Sequence, residues 1–165
     1  MRRVNLILGL IALAAAQQVI AAAAHRIPDS CPVTRATPET RFTPPLASAS
    51  RDFGDASFWF GTHALFTHLS ADGRWRGQKS SSGTRNKLFI HRKNPEWLME
   101  HPHQLVVTAL RLDGDQRMIN FPRINNAIMG KEVAMLLMLE LPEAGCWQVT
   151  ANYKSDSLAF VTWVD

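Results

Sequence analysis

From Trp147 to Lys154 the chain alternates without a break: Trp147, Val149, Ala151 and Tyr153 are interleaved with Gln148, Thr150, Asn152 and Lys154. Successive side chains of an extended strand point to opposite faces, so a period of two marks a strand with one buried and one solvated face. Ser155-Asp156-Ser157 follows as a turn, and the apolar run 158–164 closes the chain. The pattern predicts an antiparallel terminal hairpin of 146–154 with 158–164. Trp147, Val149 and Ala151 should face the core together. A slip of one residue would put Trp147 in water and Gln148 in the core, so the register is strongly specified.

The rest of the chain from Ser57 onward reads in the same manner. Residues 57–60 and 64–69 are short aromatic-rich strand candidates separated by Gly61-Thr62. Asp72-Gly73 is a tight-turn signal, and Trp75 should begin the return strand. Residues 78–86, with three consecutive serines and Gly83, read as a flexible loop. Strands are expected at 87–92 and 105–112, then a second Asp-Gly turn at Asp113-Gly114, and a return over 116–121. Residues 135–141 are apolar except for Glu140, and Pro142 stops them, which suggests a strand buried on both sides. No long amphipathic helix and no repeat is evident in this region. Seven to nine short strands at roughly ten-residue spacing argue for an all-β, antiparallel sandwich over residues 57–165.

What precedes the strands is different in kind. Arg2 and Arg3 open an apolar run, 4–16, and Ala22-Ala23-Ala24 offers the small-x-small pattern of a signal-peptidase site. The run is shorter than the roughly 20 residues of a membrane span. Residues 1–24 are therefore expected to be a cleavable signal helix of the general secretion type, with the mature chain beginning near His25 and no membrane span left in it. The expected location is periplasmic or extracellular. Residues 25–56 carry Pro28, Pro32, Pro38, Pro44 and Pro45 with little apolar periodicity. Proline fixes φ and removes backbone donors, so this reads as an extended proline-rich arm.

Charge and cysteine content narrow the function classes. The sequence holds 18 Lys+Arg against 14 Asp+Glu, and loss of Arg2 and Arg3 lowers the net charge from +4 to about +2. Nucleic-acid binders concentrate their cations on one face. Here the densest group, Arg74, Arg76, Lys79, Arg85 and Lys87, reads as a solvated loop, and no nucleic-acid partner is expected. Two cysteines in an oxidising compartment favour a Cys31–Cys146 disulfide, which would tie the arm to the start of the penultimate strand.

Residues 141–149, Leu-Pro-Glu-Ala-Gly-Cys-Trp-Gln-Val, resemble the corner that leads into the penultimate strand of immunoglobulin-like and fibronectin-type domains. Together with Cys31-Pro32, Lys87-Leu88-Phe89 and Arg111-Leu112-Asp113-Gly114, the arrangement is similar to a group of small exported bacterial proteins with an immunoglobulin-like sandwich. That resemblance implies a fold and a location, and brings no activity and no functional residues.

Chemistry-bearing patterns are sparse. There is no Gly-x-Ser-x-Gly elbow, and Ser80-Ser81-Ser82-Gly83 has no paired base in sequence. Asp113 and Asp115 flank a glycine where aspartate suits turn geometry, and they offer too few spaced oxygens for a calcium loop. Catalysis is not expected. The expected function is a non-catalytic binding or structural module acting on a protein or envelope component, with Trp97 and Trp59 as candidate surface contacts and no cofactor. The alternative is a periplasmic copper-binding protein. An N-terminal His25 would offer an amine and an imidazole, which copper(II) favours. His101, His103, His63 and His68 are all available as a second ligand, and 99–103 is the richest local cluster.

Overall fold

The computed structural model describes residues 26–44, 56–114, 118–121, 123–129 and 132–165. The chain divides into two units, Met1–Ser30 and Cys31–Asp165. In the described part of the first, Arg26 pairs with Asp29 at 3.3 Å on the surface. The expected signal segment and His25 lie outside the described residues.

The second unit is all-β with antiparallel pairing between its strands. A hairpin of β1 (Ser57–Gly61) and β2 (Phe66–Ser70) comes first. One four-stranded sheet has the order β10-β9-β5-β6, built from β5 (Leu105–Arg111), β6 (Met118–Phe121), β9 (Gly145–Tyr153) and β10 (Asp156–Val164). The other has the order β3-β4-β8-β7, from β3 (Gln78–Ser80), β4 (Gly83–Ile90), β7 (Asn125–Met129) and β8 (Glu132–Leu141). A 3-10 turn over Pro95–Met99 connects β4 towards β5. Among the described residues there is no α-helix, and no helix is long and apolar enough to cross a membrane.

Alternation sets the inner faces. Val107 and Ala109 of β5, Trp147, Val149 and Ala151 of β9, and Leu158 and Phe160 of β10 merge with Leu88, Ile90, Met135, Leu137 and Leu139 of the second sheet into one core. Trp147 is fully buried, as its alternating partners predict, and its Nε1 donates to the Glu143 carbonyl at 3.0 Å. The terminal hairpin forms with a tighter turn than expected. Tyr153 pairs with Asp156, leaving only Lys154-Ser155 between the strands, with Lys154 at φ 54°. β10 therefore starts two residues before the apolar run.

Three other expectations are corrected, and one strand is found that no sequence pattern marked. Asp72-Gly73 does turn the chain, Gly73 having φ 77°, but β2 is already partnered by β1 and Trp75 begins no return strand. Residues 73–75 run along β10 instead: Trp163 N–H donates to Gly73 O (2.9 Å) and Trp75 N–H to Trp163 O (2.8 Å). Residues 78–86 are not a loop but β3, a Ser81-Ser82 turn and the start of β4. Gly83 at φ 139° makes that turn possible, since a Cβ there would collide with the Leu141 carbonyl. Third, β8 is not buried on both sides, because Met138 is 47% exposed while Leu137 and Leu139 are buried. The strand without a marking pattern is β7, whose sequence Asn-Asn-Ala-Ile-Met has no apolar alternation.

The segment after Cys31 is held at more than its disulfide. Thr34 N–H donates to Val161 O (2.8 Å), Thr34 Oγ1 accepts from Val161 N–H (2.9 Å), and Phe42 N–H donates to Trp59 O (2.9 Å). Thr34 and Gly73–Trp75 thus occupy backbone groups that β10, an edge strand, would otherwise present to another chain.

Candidate functional site

A cleft of about 610 Å³ is lined mainly by three segments distant in sequence, with Thr34, Ala56 and Ser57 completing its wall. β2 and the turn after it contribute His68, Leu69, Ser70, Asp72, Trp75 and Arg76. β4 contributes Asn86, Lys87 and Phe89, and β10 contributes Phe160, Val161 and Thr162. Leu69, Trp75 and Phe160 are core residues, so the floor of the cleft is the apolar interior itself. The rim is charged. Asp72 accepts hydrogen bonds from Arg76 (2.8 Å to Oδ1) and from the Arg74 backbone (3.2 Å). The Arg76 hydrogen bond holds the Asp72 carboxyl below its usual range, and Asp72 in turn raises Arg76. Arg74 also pairs with Asp165. The indole Nε1 of Trp75 is buried in this lining with no hydrogen-bond partner among the described residues. Such a donor normally finds one, and a bound acceptor would supply it.

Behind the cleft lies a cluster of aromatic rings and histidines. Trp59 meets His68 at 5.4 Å, His91 at 5.2 Å and Phe66 at 5.7 Å between ring centroids. His91 stacks on Phe66 at 5.3 Å, and their backbones exchange two hydrogen bonds that attach β2 beside the end of β4. Burial lowers the pKa of both His68 and His91 to about 4, with the nearby His68 adding to the effect on His91 and a hydrogen bond to the Val133 backbone opposing it. Both imidazoles are neutral at pH 7 and serve as packing groups.

The expected surface contacts are not at the surface. Trp97 is fully buried, because the 3-10 turn folds its indole into the core, and Trp59 is enclosed by the rings just described. Of the histidines weighed as copper ligands, His101 and His103 come together, their rings 6.1 Å apart beside Asn125 and Asn126 in a pocket of about 230 Å³. His63 packs edge-on against Phe42, and His68 belongs to the cleft. Among the described residues no group of three or more His, Cys, Asp or Glu side chains is placed to hold a metal ion.

The Cys31–Cys146 disulfide is formed, with Cα atoms 5.7 Å apart and a sequence separation of 115. The corner beside it is built by Asp113, whose Oδ1 accepts the Cys146 N–H (2.7 Å) and a bond from Arg111 Nε (3.2 Å). Asp113 thus fixes the start of β9 as well as its own turn. Ser80 and Ser82 both donate to Glu140, 2.8 Å from Ser80, an exposed arrangement that ties the β3–β4 turn to β8.

Sequence reading missed the cleft. Arg74, Arg76, Lys79, Arg85 and Lys87 were expected on a solvated loop, but they lie on β3, β4 and the segment leading to them, with Arg74, Arg76 and Lys87 at the cleft. The signal was the cation density between Gly73 and Leu88, hidden by the serine-rich composition beside it. No protein-family model, curated protein or solved structure matches the chain.

Proposed function

We propose that the protein is an exported, non-catalytic binding module of immunoglobulin-like sandwich architecture whose binding site is the cleft between β2, β4 and β10. The observation that carries the reading is the lining of that cleft. It has an apolar floor, a polar rim and a buried Trp75 donor without a partner among the described residues, the combination found in ligand sites. Export is supported by the leader-like pattern of residues 2–24 and by a disulfide of the kind kept in oxidising compartments.

The test is a photo-crosslinking side chain placed at Ser70, on the cleft, and at Ser157, exposed on β10, in the cells that make the protein. A discrete adduct from position 70 alone is the expected result. Equal labelling from both positions, or none from position 70, contradicts the reading.

Copper binding is the second reading, favoured by the adjacency of His101 and His103. His101 and His103 would supply two of its imidazole ligands. Copper(II) titration followed by electron paramagnetic resonance should then show a nitrogen-ligated tetragonal site that is lost in His101→Ala. An unchanged spectrum in that variant removes the reading.

A further inference from the structure

The two four-stranded sheets end in four edge strands, and these are not protected alike. At one side, β10 has its backbone occupied by Thr34 and Gly73–Trp75. β3 beside it is three residues long and carries Lys79. Short, lysine-bearing edges are a common means by which sheets avoid adding further strands. At the other side β6 ends one sheet and β7 ends the other, each paired with a single strand, β5 and β8 respectively. β6 lies against β8, so the two edges fall together. Their sequences, Met-Ile-Asn-Phe and Asn-Asn-Ala-Ile-Met, hold no charge and no proline. Exposed apolar side chains gather around them. Ile128 of β7 is 71% exposed. Asn126 Nδ2 donates to the Leu98 carbonyl (3.4 Å), which brings the end of the 3-10 turn to β7 and sets Met99, 85% exposed, beside it. The other large apolar side chains exposed among the described residues, Val106 and Met138, stand on β5 and β8, the next strands in. Exposed apolar groups collected at one place mark an interaction surface.

We propose that β7 pairs antiparallel with β7 of a second copy of this chain, joining two four-stranded sheets into one across a twofold axis. The edge fits itself. An antiparallel pair of identical strands is isologous, so each residue contact occurs twice. Centred on Ala127, the pairing engages all five residues of the strand: Asn125 of each copy faces Met129 of the other, and Asn126 faces Ile128. The smallest side chain of β7 then lies on the axis, where directly opposed residues stand closest. A charged partner strand would find no counter-charge on β7, whereas a second β7 brings no charge to be desolvated. Ile128, solvated in a single copy, gains apolar cover from the other. The dimer does not depend on the reading of the cleft. β4, which lines the cleft, is separated from β7 by β8, so each copy keeps its cleft on the side away from the axis.

The experiment follows the mass of the purified chain in solution by analytical ultracentrifugation over a concentration series, for the wild type, Ile128→Lys, Asn126→Lys and Ser157→Lys. The wild type should pass from monomer to dimer as concentration rises. Ser157→Lys, on the exposed face of β10, should do the same. Lysine at 126 or 128 should weaken the dimer about tenfold or more, since each variant brings two like charges to one short ladder. Both positions are exposed, and an unchanged urea midpoint at a concentration where every chain is monomeric shows that the variants fold. Crosslinking supplies a second readout, because the native cysteines are closed in their disulfide. A bismaleimide should convert Ile128→Cys to a covalent dimer and leave Ser157→Cys monomeric. If a lysine variant fails to fold, the crosslinking comparison decides. A wild-type chain that stays monomeric to its solubility limit overturns the proposal. So does a dimer that folded Ile128→Lys and Asn126→Lys leave as tight as before, or one that crosslinks equally from 128 and 157.

Discussion

His91 shows how one side chain ties stability to pH. It is almost wholly buried, stacked on Phe66 and edge-on to Trp59, and burial lowers its pKa from 6.5 to about 4. Between these values the unfolded chain binds a proton that the native chain does not. Stability is therefore complete above pH 6.5 and is lost progressively as the pH falls to 4. His91 alone accounts for at most about 3 kcal/mol of that loss, and His68 adds to it in the same direction. Urea denaturation at pH 7 and pH 4.5 should show a lower midpoint in acid, with a smaller difference in His91→Phe. An equal difference in that variant would place the acid sensitivity elsewhere. Gly145 makes the second residue-scale case. Its φ is 142°, and a Cβ would sit 2.7 Å from the Asp113 carboxylate that holds the Cys146 N–H. Gly145→Ala should destabilise by about 2 kcal/mol or more through strain and the displaced carboxylate. A change below half a kcal/mol, about the ordinary surface value, would contradict this view of the corner.

Among the elements, the β9–β10 hairpin carries the sharpest contrast. Trp147→Ala removes a fully buried indole and should destabilise by about 3 to 5 kcal/mol. Lys154→Ala removes an exposed ammonium 2.9 Å from Glu100 and should change stability by under about 1 kcal/mol. Equal effects in chemical denaturation would mean that Trp147 is not an anchor of the core. This hairpin was legible because its alternation is uninterrupted and its inner residues are large and apolar. β7 was illegible for the opposite reason, since Asn125, Asn126 and Ala127 place two amides and a small side chain where a pattern would be read. β3 and the start of β4 were hidden by Ser80, Ser81, Ser82 and Gly83, residues that build a two-residue turn here. Trp75 misled because a turn signal says that the chain reverses and not which strand it then joins. The cleft had no local signature at all. Residues of β4, an indole after β2 and a floor from β10 meet only through the tertiary arrangement of the strands.

For the molecule as a whole, the Cys31–Cys146 bond closes a loop of more than a hundred residues between the segment that protects the edge of β10 and the first turn of β9. Chain-entropy arguments assign such a loop roughly 4 to 5 kcal/mol as an upper figure. That is a large share of the 5 to 15 kcal/mol typical of a domain. The Cys31→Ser, Cys146→Ser double variant should accordingly unfold at a clearly lower temperature, and an unchanged midpoint would mean that the sheets do not depend on the bond. The leader-like pattern of residues 2–24 and this bond are the two observations behind the proposed export. The most direct measurement is the intact mass, with thiol alkylation, of the chain expressed with its own N-terminus and recovered from the exported fraction of a bacterial host. A single species beginning near His25 with neither cysteine alkylated is the predicted result. A full-length chain retained in the cytoplasm with both cysteines alkylated would contradict it.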